Sequence, residues 1–172
     1  MDERSDKALI AAANAGDRAA FEALYLRYRD WVYSLALRFC NDHHDACDVL
    51  QETFLYFLGK FPGFELRCQL KTFLYPAVRN LSIKRSQKRR KMDSVDALAL
   101  DPEGGVDAST EMDPRQRLAH RVKGLPEAQR EVVLLRFADD LDLQEIAEAL
   151  HVPLGTVKSR LHHALKKLRN KS

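Results

Sequence analysis

Three acidic side chains at helical spacing are the first candidates for chemistry in this 172-residue sequence. Asp45, Asp48 and Glu52 stand at positions i, i+3 and i+7, so a helix would carry them on one face. Such carboxylates suit acid–base or metal chemistry, a docking surface for a basic partner, or simply a solvated face. No Gly-rich phosphate loop, nucleophile elbow or H-E-x-x-H motif accompanies them. We therefore favour the docking surface, and predict no catalytic residue, no cofactor and no enzyme activity.

A basic run at residues 84–91, KRSQKRRK, has six Lys or Arg residues in eight. It follows a predicted helix that carries Phe73 and Tyr75 and a loop that carries Phe64. Lys and Arg attract nucleic-acid phosphates in a salt-dependent way, and aromatic rings stack on unpaired bases. The run therefore favours a nucleic-acid surface over a solvated helix end.

Residues 142–169 have the pattern of a helix-turn-helix. Asp142 and Glu145 form a capping-box pair, His151 and Val152 make the turn, and Pro153 opens the second helix. The predicted buried stripe of that helix is Val157, Leu161, Leu165 and Leu168. Basic and hydroxyl side chains would then face outward, as in a helix that enters a DNA major groove. An amphipathic hairpin with a solvated basic face is the alternative.

Four potential metal ligands cluster in the segment C-N-D-H-H-D-A-C, namely Cys40, His43, His44 and Cys47. Thiolates and imidazoles suit zinc, but no second paired motif completes a site. We predict no metal site and leave metal or redox sensing here as an open alternative. Three cysteines in all, an odd number, fit reduced thiols better than a disulfide framework.

The elements that must position these residues are helices, and we predict an all-α fold. Helical periodicity covers residues 17–40, 45–60, 70–90 and 127–139, with Leu58 and Phe137 among the inward residues. No segment alternates with period 2. The amino terminus has no signal-peptide pattern, and no apolar run could span a bilayer, so we expect a cytoplasmic protein without membrane insertion.

The charge divides the chain into three parts. Residues 1–91 and 115–172 each carry a net charge of +5, whereas residues 92–114 carry −7 and contain several turn-forming residues. This pattern predicts two small helical domains, 1–91 and 115–172, joined by a flexible acidic linker at 92–114.

Both domains resemble the sigma-70 family of bacterial RNA polymerase initiation factors, in its extracytoplasmic-function (ECF) group. DACDVLQETFLYFLGKF at 45–61 and FLYPAVRNLSIKRSQKRRK at 73–91 are similar to sigma region 2. LPEAQREVVLLRF at 125–137 and EIAEALHVPLGTVKSRLHHALKKL at 145–168 are similar to sigma region 4. Cys47 departs from the family pattern, because a further carboxylate usually stands there.

The resemblance implies a dissociable subunit that directs core RNA polymerase to specific promoters and helps to melt them. It implies contacts with the clamp coiled coil and flap of the polymerase and with promoter DNA, and control by an anti-sigma factor. Phosphorylation of Thr53, near the weakened docking face, is a second route of control. The alternative is a free-standing helix-turn-helix regulator, which would need neither a docking face nor a loop that captures a DNA strand.

The resemblance also assigns residues to three surfaces. The core-polymerase-binding residues are Asp45, Asp48, Gln51 and Glu52. The residues for the −10 element are Phe64, Gln69, Lys71, Arg79, Asn80, Lys84, Arg85 and Lys88. The residues for the −35 element are Thr156, Lys158, Ser159, Arg160, His162, His163 and Lys166.

Overall fold

A computed structural model of the chain describes residues 2–96 and 113–169. Within these ranges the chain forms helices and no strand, which confirms the predicted all-α class. The helices are α1 (Asp6–Asn14), α2 (Arg18–Cys40), α3 (His43–Leu58), α4 (Leu70–Asp96), α5 (Pro114–Lys123), α6 (Glu127–Phe137), α7 (Leu143–Leu150) and α8 (Leu154–Arg169). The chain divides into two compact units, Met1–Ala99 and Leu100–Ser172. None of the helices in the described ranges combines the length and apolar character that a membrane crossing requires.

In the first unit, α2 packs against α1, α3 and α4. The Asp17 side chain caps α2 by accepting hydrogen bonds from the backbone N–H groups of Ala19 and Ala20. Asn41 ends α2 in a left-handed conformation with φ of 52°, and Asp42 then caps α3. This tight connection turns α3 back along α2, so α3 begins at His43 rather than near Asp45.

The core of this unit corrects two expectations about α3. Its buried side chains include Val49, Thr53 and Phe57, each 0% exposed. Leu58, predicted to face inward, is 47% exposed because it lies one residue, or about 100° of helix rotation, beyond Phe57. The Thr53 hydroxyl, proposed above as a phosphorylation site, is enclosed by the core.

The amino-terminal helix α1 was not predicted. Ser5 caps it, and Arg27 of α2 binds it by donating to Asp6 at 2.5 Å and to the carbonyl oxygens of Asp2 and Arg4 at 2.8 Å. The Tyr28 hydroxyl also donates to Asp6. Burial and this hydrogen bond raise the pKa of Tyr28 above its usual range. These contacts fix α1 against α2.

In the second unit, α6 and α7 both pack against α8. The predicted capping box is confirmed, because Asp142 and Glu145 exchange backbone-to-side-chain hydrogen bonds of 2.8 Å in both directions. His151 makes the turn in a left-handed conformation with φ of 53°. The result is a short helix that supports α8, as a helix-turn-helix requires.

Two side chains of this unit lie elsewhere than predicted. The buried stripe of α8 is Val157, Leu161, Ala164 and Leu168, and Leu165 is 45% exposed. A helix repeats every 3.6 residues, so both positions fit the periodicity. The small Ala164 is the one that packs with Leu125 and Val133. Phe137 was expected in the core but is 63% exposed at the end of α6.

The predicted acidic linker is partly helical. Its first five residues, 92–96, belong to α4, and Pro114 already belongs to α5. The segment KMDSVD at 91–96 contains no Gly or Pro, so nothing in the sequence stops α4 at residue 91. The predicted flexibility of residues 97–112 concerns a segment outside the described residues.

Candidate protein and nucleic-acid interfaces

Three of the four residues predicted to bind core polymerase, Asp45, Asp48 and Glu52, are paired with arginines of α4, whereas the fourth, Gln51, is exposed. Arg85 reaches across the helix pair and donates hydrogen bonds to both Asp48 and Glu52. One turn further along α4, Arg89 lies 3.3 Å from Asp45. Arg85 was predicted to bind −10 phosphate, so the structure joins one residue of that set to the predicted polymerase surface. We call Arg85, Arg89 and their carboxylate partners the α3–α4 ion network.

The groups of this network are partly buried. The side chains of Asp48 and Arg85 are each 29% exposed. The hydrogen bond to Glu52, together with the two carboxylate charges, raises the pKa of the Arg85 guanidinium, although burial acts in the opposite direction. Exposed ion pairs contribute only about 0–1 kcal/mol each, and salt weakens them. Each ion pair of the network is therefore expected to contribute only a small amount to the stability of the fold.

The network also includes Asp42, which the sequence analysis did not select. Arg89 Nη1 lies 3.0 Å from the Asp42 carboxylate, and Asp42 accepts a 2.9 Å hydrogen bond from the backbone N–H of Asp45. That hydrogen bond, followed by the charge of Arg89, lowers the pKa of Asp42. The sequence held a signal for this pairing, because Arg85 and Arg89 are spaced i, i+4 and match the carboxylates of α3 in period.

The rest of the α3 surface carries exposed apolar side chains that the sequence analysis missed. Gln51, Leu55 and Leu58 recur at i, i+4 and i+7, so they continue the outer face of α3. Leu55 is 66% exposed and Leu58 is 47% exposed. Exposed apolar side chains rimmed by polar groups are a feature of protein-interaction surfaces.

The basic run of α4 is divided between two faces of the helix. Asn80, Lys84 and Lys88, at i, i+4 and i+8, are exposed, whereas Arg85 and Arg89 turn towards α3. Arg79 is half-buried. The exposed face has the amide and ammonium groups that bind bases and phosphates.

The loop at residues 59–69 is anchored by aromatic rings, and we call it the promoter loop after the role that the sequence analysis predicts for it. The Phe64 ring lies 4.7 Å from the Phe73 ring, 5.3 Å from Phe57 and 5.7 Å from Phe61, measured between centroids. Phe64 was predicted to contact an unstacked base, but here its half-buried ring belongs to this aromatic cluster. Through these ring contacts Phe64 anchors the loop to α3 and α4.

Two further residues of the predicted −10 set flank the start of α4. Gln69, the last loop residue, is exposed. Lys71 is half-buried, and its Nζ lies 5.9 Å from the centroid of the Trp31 ring, within range of a cation–π contact.

The predicted −35 residues lie mostly together on the outer face of α8. Lys158, Ser159, His162, His163 and Lys166 are exposed, while Thr156 and Arg160 are half-buried. The Ser159 hydroxyl and His163 Nδ1 are 3.4 Å apart, and the rings of His162 and His163 meet edge to face. Among the described residues, no ion pair engages the cations of this basic face. The face therefore keeps its donors available, and DNA binding by it stays a prediction.

The four potential metal ligands of the segment 40–47 do not lie together in the structure. Cys40 is buried with its Sγ 3.9 Å from the carbonyl oxygen of Ser82, and burial raises the pKa of this thiol. Cys47 is exposed, and the Tyr33 hydroxyl lies 2.6 Å from His43 Nδ1. Within the described parts of the chain, no three His, Cys, Asp or Glu side chains are grouped closely enough to hold a metal ion.

Comparison with known proteins identifies both units. The family model for Sigma-70 region 2 matches residues 24–92, and the model for Sigma-70, region 4 matches residues 115–168. The chain belongs to the sigma-70 family. The region 2 match contains the α3–α4 ion network and the promoter loop, and the region 4 match contains the basic face of α8.

Individual relatives agree with this assignment along nearly the whole chain. The ECF RNA polymerase sigma factor SigW of Bacillus subtilis is 31% identical over 95% of this chain and 94% of its own length. A solved structure of CnrH with the cytosolic domain of CnrY shares the fold, with a TM-score of 0.68, 22% identity and coverage of 96% and 95%. The sigma factor RpoE of Bartonella quintana, solved with the anti-sigma factor NepR, shares it with a TM-score of 0.65, 24% identity and coverage of 87% and 94%.

Proposed function

We propose that this chain is an alternative sigma factor of the ECF group, which binds core RNA polymerase, directs it to specific promoters and helps to melt them. In this proposal residues 1–91 act as region 2, residues 92–114 as the connection, and residues 115–172 as region 4. The protein acts in the cytoplasm and is not itself an enzyme. The observation that carries the proposal is the match of one short chain to both sigma regions, in order.

Polymerase docking is assigned to the acidic face of α3 and to Gln51 beside it. The clamp coiled coil would supply basic groups to the carboxylates, and the exposed Leu55 and Leu58 extend the contact with apolar surface. Because Arg85 already pairs with Asp48 and Glu52, docking on this face exchanges one set of cations for another. Docking therefore releases Arg85, which becomes available for nearby DNA phosphate.

Capture of the −10 element is assigned to the promoter loop and the exposed face of α4. Gln69 and Asn80 supply amide groups that can read the edges of unpaired bases, while Lys84 and Lys88 supply phosphate contacts. Lys71 and Arg79 lie at the edge of this surface. The aromatic cluster under Phe64 gives the loop a rigid base.

Recognition of the −35 element is assigned to the outer face of α8. Lys158 can donate to guanine acceptors in the major groove, and the exposed hydroxyl and imidazole groups can contact bases or phosphates. Lys166, one turn beyond His162, suits a phosphate contact. The half-buried Arg160 and Thr156 would position the helix on the backbone.

Control is assigned to a separate anti-sigma protein and not to phosphorylation of Thr53. A kinase must reach the hydroxyl that it modifies, and Thr53 is 0% exposed. The sigma factor RpoE, which shares the fold, was solved with the anti-sigma factor NepR, and CnrH, which also shares it, was solved with the cytosolic domain of CnrY. An anti-sigma partner that covers the outer face of α3 would block polymerase docking directly.

In vitro transcription tests the proposal. The purified chain is added to bacterial core RNA polymerase with a library of promoter fragments, and transcript starts are sequenced. We expect initiation at a subset that shares −10 and −35 sequences. Binding of the chain to DNA without any stimulation of initiation would instead favour a free-standing helix-turn-helix regulator.

A further inference from the structure

The side chain of Asn14, the last residue of α1, forms hydrogen bonds with the main chain of the promoter loop. Its Oδ1 accepts hydrogen bonds from the backbone N–H groups of Gly63 at 2.7 Å and Phe64 at 3.0 Å. Its Nδ2 donates to the carbonyl oxygen of Phe64 at 2.9 Å. One side-chain amide thus satisfies both main-chain polar groups of Phe64, about 50 residues away in sequence.

These hydrogen bonds restrain the loop at Gly63, a residue whose backbone has unusual conformational freedom. Gly63 has a φ of 100°, in the left-handed region that glycine adopts with the least strain, and a Cβ placed there would meet no atom within 4 Å. The surroundings therefore do not confine this residue by packing. The Asn14 hydrogen bonds supply that restraint for the main chain, while the aromatic cluster restrains the Phe64 ring.

The segment that follows is the one assigned to base capture. Glu65, Arg67 and Gln69 are exposed, and the segment ends where α4 begins at Leu70. Its path is set at one end by α4 and at the other by Phe64. An error in the Phe64 main chain would displace Gln69 relative to Asn80, and a displacement of about 1 Å is enough to weaken a positioned hydrogen bond.

We propose that Asn14 is a positioning residue for −10 strand capture, which gives the amino-terminal helix a role in promoter opening. This inference rests on the proposed function of the promoter loop. Arg27 holds α1 against α2, α1 presents Asn14, and Asn14 sets the main chain from which the capture segment extends. A residue that only stabilised the fold would influence polymerase binding and DNA capture together, whereas Asn14 acts on capture alone.

The test uses three variants of the full chain. Asn14→Ala removes all three hydrogen bonds. Asn14→Asp keeps the two that Oδ1 accepts, but it loses the donated one and sets a carboxylate oxygen against the carbonyl oxygen of Phe64. Lys7→Ala, an exposed position on the same helix, is the matched control. If circular dichroism shows that Asn14→Ala does not fold, it is replaced by Asn14→Ser, whose shorter side chain does not reach the loop main chain.

Two readouts separate positioning from general destabilisation. Hydrogen exchange of the free chain reports on residues 59–69, and we expect Asn14→Ala to speed exchange there about tenfold while α2 and α3 stay protected. With core polymerase, 2-aminopurine in the −10 non-template strand reports opening. We expect its rate to fall about tenfold in Asn14→Ala and by a smaller factor in Asn14→Asp, which keeps two of the three hydrogen bonds, with polymerase affinity unchanged.

The outcomes are distinguishable. Unchanged exchange in residues 59–69, or wild-type opening by Asn14→Ala, overturns the role of Asn14 while leaving the proposed function intact. Equal loss of polymerase binding and of opening also overturns it, since the effect is then on the fold. If the wild-type chain with polymerase opens no promoter, the proposed function fails first, and the inference fails with it.

Discussion

The two regions assigned to binding carry similar amounts of charge but keep it in different states. On the acidic face of α3, Asp45, Asp48 and Glu52 are all engaged with arginines of α4. On the outer face of α8, Lys158 and Lys166 are exposed, and no ion pair involves them among the described residues. The lysines of α8 are therefore available for a binding partner, whereas the carboxylates of α3 already form ion pairs within the chain.

This difference predicts two kinds of binding. A basic face that forms no internal ion pairs breaks none when it binds phosphate. Because binding releases counterions from the DNA, its affinity for DNA should fall steeply as the salt concentration rises. A paired acidic face must give up its own arginines first, so its net gain for each contact is smaller. Salt weakens the internal pairs as well as the new ones, and polymerase docking should be the less salt-sensitive step. The four predictions below test this contrast, in order of decreasing effect.

The largest effect is expected when the acidic face is reversed. The double change Asp48→Lys and Glu52→Lys places two lysines against Arg85 and removes the carboxylates that a basic partner would contact. We expect core polymerase affinity to fall about 100-fold or more, because like charges at an interface cost several kcal/mol. Binding of region 4 to duplex −35 DNA should be unaffected, as measured by fluorescence anisotropy.

The matched control for that change is Glu22→Lys with Asp30→Lys, which alters net charge equally at exposed positions of α2. It should keep polymerase affinity within about twofold of wild type, since exposed charges distant from an interface act mainly on association rate. Equal loss of affinity in both double variants would mean that total charge, and not the α3 face, governs docking.

The next effect tests the exposed basic face of α8. Lys158→Ala should weaken binding to duplex −35 DNA by about tenfold and relax base preference at one position, because a good base contact discriminates by about 1–3 kcal/mol. Lys166→Ala should weaken binding to all sequences and reduce the salt slope by about one. Lys123→Ala, a loss of the same charge on α5, is the control and should change neither quantity.

A smaller and opposite effect is expected at Arg85. Arg85→Ala frees Asp48 and Glu52 from their internal partner, so polymerase affinity should rise about threefold, while thermal stability falls slightly with the loss of about 0.2–1 kcal/mol for each ion pair. Lys88→Ala, on the exposed face of α4, should leave polymerase affinity unchanged and weaken −10 single-strand binding. A fall in polymerase affinity for Arg85→Ala would show that the arginine supports the docking face rather than competing for it.

The smallest effect concerns pH and Asp42. Its folded-state pKa is lowered from 3.8, so its carboxylate stabilises the fold above that value, and this contribution is lost as pH falls through the lowered pKa. Asn caps helices as well as Asp does, so Asp42→Asn removes the charge and keeps the cap. Melting temperatures should differ between wild type and variant near pH 6 and converge towards about pH 2.

The sequence predicted local structure well and long-range pairing poorly. The capping box of Asp142 and Glu145 depends on residues three apart, and it is present as predicted. The partners of Arg85 lie 33 and 37 residues away. Helical periodicity therefore assigned Arg85 to a basic surface and could not predict its ion pairs with Asp48 and Glu52. Asn14 was missed for the same reason, since its partners are about 50 residues distant.

Periodicity also left the choice between neighbouring positions undecided. Ala164 and Leu165 both fit a helical stripe, and the sequence analysis placed Leu165 in it by spacing. Close packing of α8 on Leu125 and Val133 selects the smaller residue. Thr53 shows the converse, because a hydroxyl suggested a modification site while its position in α3 buries it completely.

The exposed thiol of Cys47 provides a built-in attachment point on the docking face. It lies on α3 next to Asp48 and one turn before Gln51, while the Cys40 thiol is buried, and burial raises its pKa and disfavours the thiolate that reacts with maleimide. With Cys68 changed to serine, a maleimide dye would therefore label the surface that polymerase and an anti-sigma protein are expected to share. Quenching of that dye would follow exchange between the two partners in real time.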